Sequence, residues 1–212
     1  FRSQQHRWTK GAFQVARKLL PTLWRGRSSL RVKVEATAHL TANVGYCLMV
    51  LYTVLALPAL WARRAAPLPA ALQWAEIGLL SLSAAAIALF YAVARREASI
   101  DRTFSWRELP ALMAFGVGMA LNNARAVAEA VLGVTTEFRR TPKFNVIRPG
   151  DSWREKQDRA DRGGKGLPET LLGLYLAGTL LWCVWNGQWA AVPFLLFFLA
   201  GALAVGGLTF AH

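Results

Sequence analysis

Two stretches of this 212-residue chain carry side chains whose types and spacing suit the chemistry of phosphorylated sugars. The first is Gln4-Gln5-His6-Arg7-Trp8, where two amides, a guanidinium and an indole fall within five consecutive residues. Amides and guanidinium donate hydrogen bonds in fixed planes, and the guanidinium fork matches phosphate oxygens. An indole offers a flat apolar face to a sugar ring and one N–H to a hydroxyl. A nucleotide sugar and a growing glycan together need that set of groups. The plainer use of the same residues is a solvated basic turn ahead of a helix. The second stretch is Phe138-Arg139-Arg140-Thr141-Pro142-Lys143-Phe144. Its Thr hydroxyl and Lys ammonium both reach phosphate oxygens if the backbone is extended, as a residue before proline tends to be. On chemistry alone it is equally a solvated juxtamembrane basic loop.

The elements that must position these groups are membrane elements. The chain is 54% hydrophobic and only 17% charged, against about 25% charged for a soluble domain. Its mean hydropathy is +0.28. A net charge of +13 would suggest nucleic acid in a soluble protein. Here the Lys and Arg residues follow the loops between apolar runs, so no nucleic-acid partner is expected. Cys47 and Cys183 both sit inside apolar runs, which points to reduced thiols rather than a disulfide framework. Residues 1–35 hold nine Lys/Arg and no long apolar core, so they are not a signal peptide. The chain opens on Phe1 and reads as the carboxy-terminal part of a longer polypeptide.

Taken in order, residues 8–35 read as an interfacial helix, with Phe13, Ala16, Leu20 and Leu23 on one side and Pro21 expected to kink or break it. Residues 36–62 contain no Lys, Arg, Asp or Glu over 27 positions, more than the roughly 20 a spanning helix needs. A turn through Arg63, Arg64, Pro67 and Pro69 leads to a second span at about 70–94, with Glu76 near its start in a structural role. Leu109–Leu121 is apolar for only 13 residues before Asn122-Asn123 and Arg125 interrupt it, and it reads as interfacial or re-entrant. Arg125 and Glu129 stand four apart and can pair. Residues 134–166 carry nine Lys/Arg, as many as the amino-terminal region, which puts both on the cytoplasmic side. Residues 170–212 are free of charged side chains, and Asn186-Gly187 marks the turn of a helical hairpin. Ala202 and Gly206 give small-residue spacing for close packing. Trp61, Trp74, Trp185 and Trp189 cluster at the two short turns, as in an aromatic belt at the outer face. The expected fold is an all-α membrane protein with about four transmembrane helices. It divides into an acceptor motif with an interfacial helix (1–35), a hairpin (36–95), an interfacial segment (96–133), a cytoplasmic loop (134–166) and a second hairpin (167–212), in a plasma (inner) membrane.

Gln4-Gln5-His6-Arg7-Trp8 resembles the Gln-(Gln/Arg)-x-Arg-Trp signature of membrane-embedded family-2 glycosyltransferases, the cellulose synthases and cellulose-synthase-like mannan synthases. Lys10-Gly11 fits the bacterial members. The resemblance implies that Trp8 lies under the terminal sugar of the acceptor, while Gln4, Gln5 and Arg7 face the nucleotide diphosphate. Phe138, Thr141 and Lys143 likewise resemble the Phe-x-Val-Thr-x-Lys gating loop of cellulose synthase, which lies between an interfacial helix and the last helix pair. Arg140 stands where that pattern has Val, and Pro142 fills its free position. By the same resemblance Thr141 and Lys143 close over the diphosphate.

The resemblance covers most of the chain, although only these two motifs are specific. No Asp-x-Asp for metal and nucleotide, and no Thr-Glu-Asp for a catalytic base, occurs in the sequence. The family carries both on a catalytic domain upstream of the Trp motif. The resemblance therefore implies no catalytic base and no metal ligand in this chain, with Mg2+ or Mn2+ bound by that upstream domain. Its implied partners are a UDP- or GDP-sugar, a glycan or glycolipid acceptor, membrane lipids and the upstream catalytic domain. The expected activity is the extension of a β-glycan by inversion, with these helices helping to form the export channel. A glycolipid-forming enzyme of the same family, or a non-catalytic channel or scaffold subunit, is the alternative.

Overall fold

The computed structural model describes residues 1–97, 108–135 and 166–211. Among them 88% are helical and none lies in a strand, so the fold is all-α. The helices are α1 (Arg2–Arg25), α2 (Leu30–Thr41), α3 (Val44–Ala65), α4 (Ala70–Glu97), α5 (Glu108–Gly118), α6 (Ala120–Val131), α7 (Leu167–Trp185) and α8 (Val192–Ala211), with a 3-10 turn at Trp189–Ala191. Among the described residues four segments are long and apolar enough to cross a membrane: Val44–Ala65, Ala70–Ala94, Leu167–Trp185 and Trp189–Thr209. Their outer surfaces are apolar. Leu51 and Leu55 of α3, Leu79, Leu82, Leu89 and Phe90 of α4, and Leu174 and Leu181 of α7 are all exposed. In water such a surface would be an association hazard; against lipid it is what a spanning helix presents. The chain is an all-α membrane protein.

Each hairpin has its own closure. Arg63 of α3 meets Glu76 of α4 at 2.5 Å, which gives that carboxylate its partner across the α3–α4 turn. The second hairpin turns at Asn186-Gly187, where Gly187 takes φ 70°, a value open to glycine at no steric cost. Between α7 and α8, Leu176, Cys183, Leu195 and Ala202 form a buried cluster. Gly173 and Gly206 let the two backbones approach: a Cβ on Gly173 would strike Leu203, and one on Gly206 would press on Thr170. Pro58 explains the link between the hairpins. Having no N–H, it leaves the carbonyl of Val54, four residues back, without its helical donor. The Tyr175 hydroxyl of α7 donates to that carbonyl at 2.6 Å. Both short turns lie at one end of the bundle, since Arg63, Glu76 and Gln188 line the same cleft. Trp61, Trp74, Trp185 and Trp189 are exposed around these turns.

The other end carries α1, α2 and α6. α1 starts at Arg2, earlier than the expected position 8, and it runs through Pro21 to Arg25. The break comes instead at Gly26, whose backbone is extended (φ −74°, ψ 174°). Ser29 caps α2 through the Val32 N–H. Trp24 Nε1 donates to Thr37 Oγ1 at 2.9 Å and Lys33 Nζ to the Trp24 carbonyl at 3.0 Å, folding α2 back on α1. Residues 36–41 are therefore committed to α2, and the first span begins at Val44 rather than at Ala36.

Leu109–Leu132 divides near Met119 into two helices of 11 and 12 residues, each too short to span. α5 docks on α8 at a glycine crossing: a Cβ on Gly201 would fall on the Ala114 carbonyl and the Gly118 nitrogen. α6 packs between α1 and the start of α3, where Cys47 lies beside Val127 and Ala130. Gly133, at φ 74°, ends α6 in a left-handed cap that brings the Val134 N–H to the Glu129 carbonyl at 2.9 Å.

Candidate functional site

The site is built on α1, and helical geometry splits its residues. With 3.6 residues per turn, Arg2, His6, Lys10, Phe13 and Arg17 fall along one side, whereas Gln4, Arg7, Trp8 and Gly11 fall along the opposite side. Every contact found for the first set fixes α1 to its neighbours. Arg2 Nε donates to Asn122 Oδ1 at 3.2 Å, its Nη1 to Thr209 Oγ1 at 3.2 Å, and its Nη2 to Glu169 Oε1 at 2.6 Å. Asn122 Nδ2 returns a bond to the Arg2 carbonyl at 3.2 Å. One guanidinium thus ties α1 to α6, α7 and α8 together. Two turns on, Lys10 Nζ meets Glu129 Oε2 at 2.9 Å, and His6 Nε2 lies 3.4 Å from the same oxygen. Phe13 packs against Val127 and Ala130. Arg17 donates to the Ala130 carbonyl, adding positive charge at the carboxyl end of α6.

The second set faces away from that contact. Trp8 is 63% exposed although its neighbours Thr9 and Lys10 are buried. Gln4, Gln5 and Arg7 are half-buried. A Cβ built at Gly11 meets nothing within 4 Å among the described residues, so none of them fills the space one turn beyond Trp8. The start of the strip is held by Phe1, whose ring lies 5.4 Å from that of Phe115 on α5. An indole flanked by amides and a guanidinium can take a sugar ring on its face and phosphate oxygens at its side.

Charge is concentrated on the hidden side. Burial pushes the Glu129 carboxyl up, but the hydrogen bonds from Lys10 and Arg125 and the His6 charge outweigh it and hold the group below its ordinary range. Burial lowers the His6 imidazole, and Glu129 restores only part of the loss. Glu169 is fully buried; its Oε1 is paired with Arg2 while its Oε2 has no hydrogen-bond partner among the described residues.

Gln4, Gln5, Arg7 and Trp8 are thus brought together in the first two turns of α1. Phe138, Arg140, Thr141 and Lys143 lie outside the described residues. Sequence reasoning missed the anchors Arg2, His6, Lys10, Asn122 and Glu169. The spacing of Arg2, His6 and Lys10, four apart, was the available signal, because it repeats a polar side on an amphipathic helix. The expected Arg125–Glu129 pair is present, Nε to Oε1 at 2.9 Å, but Glu129 also serves α1. Among the described residues no three His, Cys, Asp or Glu side chains come together as a metal site would require. A separate cleft of about 500 Å³ between α3, α4 and α8 is lined mainly by Leu, Ile, Ala and Phe. Comparison with protein-family models, with curated proteins and with solved structures finds no match.

Proposed function

We propose that this chain is the membrane portion of an inverting family-2 glycosyltransferase, of the cellulose-synthase-like type, that transfers sugar from a UDP- or GDP-sugar to a growing β-glycan and helps form its export channel. The observation that carries this reading is the division of α1. Anchoring groups occupy one side, and Gln4, Arg7 and Trp8 lie on the other, with Trp8 63% exposed next to buried Thr9 and Lys10. In this reading Trp8 carries the acceptor's terminal sugar, and Arg7 with Gln4 and Gln5 faces the nucleotide diphosphate. Preorganised cations there stabilise charge developing on the leaving group. Thr141 and Lys143 close over the same diphosphate. A divalent metal, Mg2+ or Mn2+, would be held by a catalytic domain outside these residues, where it would neutralise diphosphate charge. The short-helix layer and the basic loop face the cytoplasm, and the Trp-rich turns face outward.

The test is incubation of the full-length protein with a panel of radiolabelled UDP- and GDP-sugars. Incorporation of one sugar into a polymer, lost on Trp8→Ala in a protein that still inserts, supports the reading. Incorporation into lipid would favour the glycolipid-forming alternative. No transfer from any donor would return the chain to the scaffold class.

A further inference from the structure

We infer that Glu129 is a positioning residue for the acceptor platform: it sets the rotation of α1 about its axis and so the direction in which Trp8 faces. The inference rests on the platform reading of Trp8. The apolar part of the α1–α6 contact cannot set that direction. Phe13 lies over Val127 and Ala130, with Ala16 buried one turn on, and apolar burial is non-directional. The apolar side chains that α6 buries are small or medium, Ala126, Val127 and Ala130, so its ridges are shallow and oppose rotation weakly.

Directional contacts do that work, and they bracket the signature. Arg2 holds the chain before Gln4, and Glu129 holds His6 and Lys10 on either side of Trp8. The carboxylate is itself held, since Arg125 occupies its Oε1 while Lys10 and His6 share its Oε2. Lys10 is 5% exposed, so its 2.9 Å bond is shielded from water. A rotation of about 20° carries side-chain tips roughly 5–6 Å from the axis through about 2 Å. Arg7 and Gln4 have enough torsions to recover such a shift, but a two-torsion indole follows the helix. A misplacement of about 1 Å near a reacting centre costs on the order of a hundredfold.

The assay separates two fates of the donor. In both, the bond from the sugar anomeric carbon to the diphosphate oxygen breaks and the nucleoside diphosphate leaves. In transfer, an acceptor hydroxyl oxygen forms the new bond and loses its proton; in hydrolysis, water does. For the full-length enzyme in proteoliposomes, Glu129→Gln is expected to keep donor hydrolysis and donor KM within about twofold while glycan transfer falls at least tenfold. Lys10→Met with Glu129→Met removes the buried charges together, and it gives the same split if the single variant inserts poorly. Trp8→Ala is the reference, and adding Glu129→Gln to it should cost no further transfer. Glu76→Gln, at the far end of the bundle, controls for general damage. A wild-type ratio of transfer to hydrolysis in the paired variant, or a loss additive to that of Trp8→Ala, overturns the role of Glu129. A wild-type ratio in Trp8→Ala itself overturns the platform and the inference with it.

Discussion

Replacing Gly201 by Ala tests the fold that carries the platform, because α5 and α8 meet there backbone to backbone. The new methyl would fall on the Ala114 carbonyl and, at 3.0 Å, on the Gly118 nitrogen. Neither belongs to a side chain that can rotate away, so the helices must separate, whereas carbon contacts normally sit at about 3.5–4.0 Å. Overpacking of this kind costs about 1–3 kcal/mol, and the helix gains about 0.5–1 kcal/mol on exchanging Gly for Ala. The net expectation is a loss of up to about 2.5 kcal/mol. Gly178 in α7 supplies the contrast, since a Cβ there meets nothing within 4 Å. Gly178→Ala should keep only the gain and stabilise by about 0.5–1 kcal/mol. The same methyl thus acts with opposite sign at two positions. Denaturant titration of both variants in mixed micelles, followed by helical circular dichroism, measures the difference. Gly201→Ala at least as stable as Gly178→Ala would refute the close crossing and the docking of α5 that follows from it.

Two further outcomes are expected. Single cysteines at Ser28 and Ser152, in a background without Cys47 and Cys183, should label from one side of the membrane and a cysteine at Gly187 from the other; labelling of Ser28 and Gly187 from the same side contradicts the topology. The α1–α6 contact should weaken on acidification: burial holds folded His6 below its ordinary 6.5, so the unfolded chain binds the extra proton first and stability falls as pH drops through and below that value. Glu129, held below its ordinary 4.5, adds a loss of the same sign at lower pH. Lys10, Arg125 and Glu129 are the charges facing His6. Thermal unfolding at pH 7.5 and 5.5 should show a smaller pH difference in His6→Gln than in wild type, and an equal difference would contradict it.

Much of the fold was legible because membrane spans announce themselves. The charge-free run 170–212, interrupted only at Asn186-Gly187-Gln188, already contains the hairpin of α7 and α8. The beginning of the first span was not legible, because Thr37 serves α2 through a bond to Trp24, 13 residues away, that hydropathy does not register. Pro21 shows the limit of a local rule. The helix passes through it, and Gly26, with Ser29 behind it as the next cap, makes the break. The Gln4–Trp8 cluster could be picked out by residue type, but that Gln4, Arg7 and Trp8 lie along one side of a helix could not, because the helix was expected to begin only at Trp8. Its supports could not be read either, because Arg2 finds Asn122 and Glu169 across 120 and 167 residues of chain. Asn122-Asn123 does interrupt the apolar run, and it is also buried, with Asn122 exchanging hydrogen bonds with Arg2 of α1.

The most direct measurement asks whether the glycan touches the Trp8 side of α1. A photo-reactive phenylalanine analogue is introduced in place of Trp8, and in a parallel protein in place of Trp24, which is also exposed on α1. Each full-length protein is illuminated during synthesis with radiolabelled donor. The account predicts radioactive sugar bound covalently to the chain at position 8 and none at position 24. Equal labelling of the two positions, or polymer made in quantity with no label at position 8, would contradict it.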